Sequence, residues 1–205
     1  EKKNSASTPA NHLRIFDKPF SKKRGVLKGI YSEESADVMV VRFDEEDTMA
    51  AVGCSDGIVR VYNLNTSNKL IELSTNKGQD KVAAQFKMET RQLINRSNFK
   101  FYHIGGGGSG TLFQFLAKTG KNIFEKKEED NYIFALDYNA KGTLFATAGK
   151  DCVIRVYDEE TKSVKHHLEG VSWHKPGHNN RLFGLRFSPD DPNVLLSGGW
   201  DQNVN

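Results

Sequence analysis

Thiols are nearly absent from this chain: Cys54 and Cys152 are the only cysteines in 205 residues, and they stand far apart. That excludes a disulfide framework and a cysteine-based metal motif, and it fits a reducing, cytoplasmic interior. Long apolar runs are also missing. None approaches the ~20 residues that a membrane-spanning helix needs, and the first residues carry no apolar signal segment. Hydrophobic residues make up 37% of the chain, a modest share that suits one or two small domains. Reaction centres are scarce in the same way. Ser109 does not sit in a G-x-S-x-G elbow, because Thr111 takes the last position. Four of the six histidines, His166, His167, His174 and His178, gather late in the chain, but no Cys or carboxylate arrangement completes a tetrahedral set. The expectation is no catalytic residue, no metal, no cofactor, no small-molecule substrate and no membrane contact.

Charge is present but unevenly placed. Residues 1–30 carry eight Lys/Arg against two acids, a net of +6, so the overall +3 leaves −3 for residues 31–205. A basic, largely irregular arm over 1–30, with Lys22, Lys23 and Arg24 at its densest point, is therefore expected on a near-neutral body. Residues 1–28 suit an acidic partner surface such as tubulin tails, or nucleic acid.

What the chain has in quantity is short strands. Residues 132–170 read YIFALDYNAKGTLFATAGKDCVIRVYDEETKSVKHHLEG, with apolar or alternating runs at 133–138, 144–148, 153–157 and 164–168. Turn residues separate them, which predicts an antiparallel meander. One such sheet cannot bury both faces alone, so it predicts neighbours of its own kind. Residues 40–73 lie on it without a gap: Phe43 falls on Tyr138, Asp56 on Asp151 and Tyr62 on Tyr157. Residues 182–205 repeat the first half, with Phe187 and Asp201 in those roles, and 82–124 form a degraded copy. Four strands in a period of 40–50 residues mark a propeller blade. The Asp-centred turns have a local reason: Asp56-Gly57 joins two apolar runs, Gly tolerates positive φ, and the carboxylate accepts N–H bonds of its own turn.

On these residues, and on Gly177-His178 with Ser197-Gly198-Gly199-Trp200-Asp201, the chain resembles the WD40-repeat family over about four-fifths of its length. The resemblance implies an all-β propeller of four-stranded antiparallel blades, about four of them present (38–73, 82–126, 132–170 and an incomplete 178–205) out of a seven-bladed ring. Because the chain starts at Glu1 and stops inside a predicted third strand, the expectation is a piece of a longer protein. The family's blade cluster of His, Ser or Thr, Asp and Trp maps to His178, Ser197 and Asp201 in the last unit. The unit at 132–170 has Thr147 and Asp151, with Glu129 near the His position and Tyr157 at the Trp position; the first unit keeps only Asp56. The family's partner-contacting position, one before the turn Asp, falls on Ser55, Lys150 and Trp200. Trp200 is the strongest candidate, since a rim aromatic offers a large rigid contact. Trp173, in the insertion at 171–177, either caps the sheet or faces a partner.

One stretch points elsewhere. Gly105, Gly107 and Gly110 satisfy G-x-G-x-x-G after an apolar run, the start of a nucleotide-binding enzyme if a helix follows. The residues that follow, TLFQFLAKTG, have strand character, so a hairpin connection is expected instead. The reading that results is a non-catalytic scaffold docking other proteins of a multi-subunit assembly, cytoskeletal or axonemal (ciliary) in kind. Its competitors are a nucleotide enzyme using residues 105–110 and a nucleic-acid binder using the arm.

Overall fold

The computed structural model describes residues 12–16, 27–32, 37–43, 48–74, 102–105, 110–116, 119–170 and 177–205. Lys22, Lys23, Arg24 and Trp173 lie outside them, as do residues 82–101 of the degraded copy expected at 82–124. Among the described residues every element is a strand, and every sheet runs antiparallel between sequence neighbours. β1 (His12–Phe16) pairs with β2 (Leu27–Ser32). β3 (Val38–Phe43), β4 (Met49–Cys54), β5 (Ile58–Asn63) and β6 (Lys69–Ser74) form a four-stranded sheet. β7 (Tyr102–Gly105), β8 (Thr111–Leu116) and β9 (Lys121–Lys127) form a three-stranded one. β10 (Ile133–Tyr138), β11 (Leu144–Gly149), β12 (Ile154–Asp158) and β13 (Val164–Leu168) make the second four-stranded sheet. β14 (Leu182–Phe187) and β15 (Leu195–Gly199) pair last. The hairpin β1–β2 differs from the irregular arm expected over 1–30. The alternation in HLRIF and LKGIYS is a strand signal that the surrounding Lys and Arg residues mask.

Local chemistry ends the strands. The carboxylate of Asp158 accepts N–H bonds from Glu160 (3.1 Å) and Thr161 (2.9 Å), and the amide of Asn63 does the same for Asn65 (2.9 Å) and Thr66 (3.0 Å). Both turns then pass through a left-handed residue, Lys162 (φ 58°) and Ser67 (φ 60°). Asp or Asn at this repeat position makes a side chain do the work of a backbone turn.

The sheets stack face to face because each strand alternates its sides. In β4, Ala51 joins Val59, Val61 and Leu73 against Phe113 and Phe115 of β8, while Ala50, Val52 and Cys54 serve the opposite face. Leu112 of β8 turns the other way, onto Ile133, Leu136, Tyr138, Phe145 and Tyr157. Ala135, Ala146, Ala148, Ile154 and Val156 meet Leu182, Leu185 and Phe187 of β14. Small residues in β4 and β11 leave the room that the large side chains of the facing sheet fill. Phe145 and Tyr157 stack at 4.8 Å and 6°, and burying each such ring stabilises the fold by ~1.5–3 kcal/mol.

Polar clasps fix the register between sheets. Asp137 on β10 accepts the buried Phe187 N–H at 2.9 Å and the Arg186 guanidinium at 3.3 Å. Gln114 on β8 donates to Glu159 (2.8 Å) and to the Tyr138 hydroxyl (3.2 Å), which itself donates to Glu159 (3.1 Å). The result is a row of sheets packed face to face: β3–β6 on β7–β9, β7–β9 on β10–β13, and β10–β13 on β14–β15.

Candidate docking rim

The rim is built from two turns per sheet that the backbone ties together. Ser55, Lys150 and Trp200 each donate their N–H to the carbonyl of the residue that opens their own sheet: Asp37 at 2.8 Å, Tyr132 at 2.9 Å and Arg181 at 2.9 Å. This one bond, repeated three times, places the residue before each turn Asp on the same edge of its sheet.

Beneath the rim each sheet is braced differently. In the last one, His178 contacts Asp201 through Nδ1 (2.7 Å) and Ser197 through Nε2 (2.8 Å). Asp201 also accepts the N–H groups of Asn179 (3.3 Å) and Asn203 (3.2 Å). Burial pushes the Asp201 carboxyl up, but the Asn203 N–H, His178 and the Asn179 N–H together outweigh it and hold it below the ordinary range.

The sheet of β10–β13 has a carboxyl group where the last sheet has an imidazole, and it is Glu128, not Glu129. Glu128, 4% exposed, accepts from the Thr147 hydroxyl (2.6 Å), the Tyr157 hydroxyl (2.8 Å) and the Asn131 amide (2.6 Å), and pairs with Arg155 at 3.3 Å. Arg155 in turn reaches Asp151 at 2.6 Å, and Asp151 accepts the Val153 N–H at 3.1 Å. Glu129 is exposed and pairs with Lys127 at 2.8 Å. The signal that finds Glu128 is spacing: it precedes Thr147 by nineteen residues, as His178 precedes Ser197. Burial pushes the Tyr157 phenol well above its ordinary range, and the neighbouring Glu128 adds to the rise.

The first sheet has Val52 in the Ser/Thr place; its Asp56 pairs with Arg60 (2.7 and 3.3 Å), as Asp151 does with Arg155, and accepts the Ile58 N–H at 3.0 Å. Burial raises the Asp56 carboxyl, yet the bonds from Arg60 and Ile58 and the Arg60 charge bring it below the usual value.

The rim residues fall into two groups. Ser55 is occupied with its own sheet, its hydroxyl accepting the Asp37 N–H at 2.9 Å. Lys150 and Trp200 are joined by a row of rings that crosses from one sheet to the next. The Lys150 ammonium sits 4.7 Å over the Tyr132 ring, and Tyr132 meets Phe134 edge-on at 6.5 Å. Phe134 stacks on Phe183 at 4.8 Å, Phe183 lies 4.9 Å from Trp200, and the Arg181 guanidinium sits 5.6 Å over the Trp200 ring. Trp200 is 62% exposed, and Tyr132 and Phe183 are open to solvent too. Sequence reading singled out Lys150 and Trp200 but not Tyr132, Phe134, Phe183 or Arg181. Their signal was the exposed side of β10 and β14, aromatic at the equivalent positions Phe134 and Phe183.

Of the glycine run, Gly105 and Gly110 are among the described residues. Gly105 ends β7, and the chain resumes as β8, which pairs back on β7 with Gly105 opposite Phe113. A strand therefore stands where a dinucleotide site needs a helix N-terminus. Gly110 has φ 71°, and a Cβ there would collide with the carbonyl oxygens of Asn131 and Glu128.

A family model described as WD domain, G-beta repeat (WD40) matches residues 25–63, 120–158 and 162–205, more than half the chain. Each match runs from the last strand of one sheet through the first strands of the next. Actin-interacting protein 1 of Drosophila melanogaster is 20% identical over 84% of this chain and 34% of its own length. Eukaryotic translation initiation factor 3 subunit I of Bombyx mori is 31% identical over 48% of this chain and 27% of its own. WD repeat-containing protein 1 of Bos taurus is 21% identical over 94% of this chain and 37% of its own. The chain thus spans roughly a third of the length of these relatives. Among solved structures, one chain in the crystal structure of a mitotic checkpoint complex matches with a TM-score of 0.69 at 17% identity, covering 92% of this chain and 52% of that one. That likeness is one of fold.

Proposed function

The chain belongs to the WD40 family of WD domain, G-beta repeats, and from that premise we propose that it is a scaffold whose rim, centred on Trp200 and Lys150, docks other proteins of a multi-subunit assembly. Members of this family are generally non-catalytic interaction platforms. The observation that carries the reading is the exposed aromatic row from Tyr132 to Trp200, since monomeric surfaces rarely string large rings together without a partner for them. Trp200 is then the contact residue, Lys150 its companion, and the clusters around Glu128 and His178 hold the turns that present them.

Within that class the narrower reading is a cytoskeletal assembly, axonemal in kind. Its support is the net charge of +6 over residues 1–30, suited to acidic surfaces such as tubulin through residues 1–28, together with the name of one relative, actin-interacting protein 1. The test is to place a photo-crosslinking amino acid at position 200 of the full-length protein in its native cells, with position 168 on β13 as the exposed control. Position 200 is expected to capture one or a few proteins that position 168 does not. Equal capture from both sites, or none from position 200, refutes the rim as the docking face.

A further inference from the structure

The aromatic row is more than an apolar patch, because its two ends are the same device built backwards. Tyr132 and Arg181 hold one repeat position, each six residues before the inward ring of its strand, Tyr138 or Phe187. Lys150 and Trp200 hold another, each one residue before the turn Asp. In the sheet of β10–β13 the ring comes first and the cation second; in the next sheet the order is reversed. Each pair still makes a cation over a ring, at 4.7 Å and 5.6 Å. The exchange puts one cation at each end of the contact chain and four rings between them.

Among the described residues neither Lys150 nor Arg181 has a carboxylate within ion-pairing distance, although an Asp adjoins Lys150 and another adjoins Trp200. Both acids turn inward: Asp151 to Arg155 and Asp201 to His178. The rim therefore offers two outward positive charges separated by an exposed aromatic surface, on a body that carries −3 over residues 31–205.

We propose that this row binds an extended acidic segment of a partner protein. An aromatic or proline residue of the segment lies against Phe183 and Trp200, and carboxylates on its two sides reach Lys150 and Arg181. The inference rests on the docking reading above and adds the partner's chemistry. The contact path from Lys150 through the four rings to Arg181 adds up to about 26 Å, an upper bound on the separation of the two cations, which an extended chain covers in roughly eight residues at about 3.3 Å each. The acids are therefore spaced no more than about eight residues apart, with the apolar anchor between them. Single-stranded nucleic acid also uses rings and cations, but it needs open ring faces and a basic groove. Here Phe134 and Phe183 cover one another's faces, a cation covers one face each of Tyr132 and Trp200, and the surrounding body is net acidic.

The test is selection of a random twelve-residue peptide display library on the protein, followed by binding of the enriched peptides to three variants. Trp200→Ala removes the main ring, and Lys150→Glu and Arg181→Glu each reverse one end; all three positions are exposed, so folding is checked only by an unchanged urea midpoint. The enriched sequences are expected to carry an aromatic or proline flanked by acids. Their affinity should fall roughly thirtyfold in Trp200→Ala and roughly tenfold in each charge reversal. Peptides that lose affinity in Trp200→Ala but carry no acids overturn the inference and leave the docking reading standing. Peptides indifferent to Trp200→Ala overturn both. Tighter binding of an oligo-dT strand than of any peptide, or a dimer that Trp200→Ala dissolves, would mean that the row serves nucleic acid or a second copy of the chain and would overturn the proposal.

Discussion

Removing the Glu128 side chain strikes a buried point where one carboxylate satisfies four other side chains. Thr147 and Tyr157 are both 0% exposed, and Asn131 is nearly as deep, so in Glu128→Ala three donors lose their acceptor away from bulk solvent. A buried donor left unpaired costs about 1–3 kcal/mol. Arg155 is spared because it keeps Asp151 at 2.6 Å. Local relaxation and an entering water recover part of the loss, which leaves about 3–5 kcal/mol, the size expected when one member of a buried polar pair is deleted. With a urea slope of about 2 kcal/mol/M, the unfolding midpoint should drop by about 1.5–2.5 M. Glu129→Ala is the internal control. That side chain is 74% exposed and, among the described residues, pairs with Lys127, so its removal should change stability by less than about 0.5 kcal/mol. Equilibrium urea unfolding of both variants, followed by tyrosine and tryptophan fluorescence, decides the matter. A Glu128→Ala loss below about 1 kcal/mol, or equal losses in the two variants, would refute the buried cluster.

Other consequences are as direct. Gly110→Ala should cost more than about 2 kcal/mol by urea unfolding, because its φ of 71° and the adjacent Asn131 carbonyl oxygen both oppose a Cβ; a neutral result would contradict that placement. Asp137→Ala orphans the buried Phe187 N–H and should cost about 2 kcal/mol, with faster hydrogen exchange confined to β14; protection unchanged there would mean that the clasp does not hold the two sheets together. Asp56 and Asp201 both titrate below their ordinary range in the folded chain, so on acidification the unfolded chain takes up their protons first. Their stabilisation is present above about pH 4 and is lost as pH falls through the folded values, so the urea midpoint should decline below about pH 4 and less steeply in Asp56→Asn; a midpoint that rises between about pH 4 and 2.5 would be the wrong sign.

The strands were legible where apolar alternation and turn residues agreed. The runs at 133–138 and 164–168 coincide with β10 and β13, and those at 144–148 and 153–157 lie within a residue of β11 and β12. A hairpin was less visible where charge dilutes the pattern, as in β1 and β2. The brace under the rim was missed by one residue because Glu128 and Glu129 look alike in sequence; only the nineteen-residue interval to Thr147, matched by His178 and Ser197, separates them. Harder still were Asp137 with Phe187 and Gln114 with Glu159, pairs 50 and 45 residues apart. No local pattern announces them, since each is set by how neighbouring sheets pack. The aromatic row is of the same kind: Phe134 and Phe183 are ordinary strand residues until two sheets lie side by side.

Trp200 is the residue through which the rim should hold its partners. Once a crosslinked partner is in hand, its affinity for the full-length protein and for Trp200→Ala can be compared by calorimetry at matched urea midpoints. The expected result is a loss of roughly thirtyfold, about 2 kcal/mol, with folding stability unchanged. An affinity that Trp200→Ala leaves intact would place the docking surface elsewhere on the molecule.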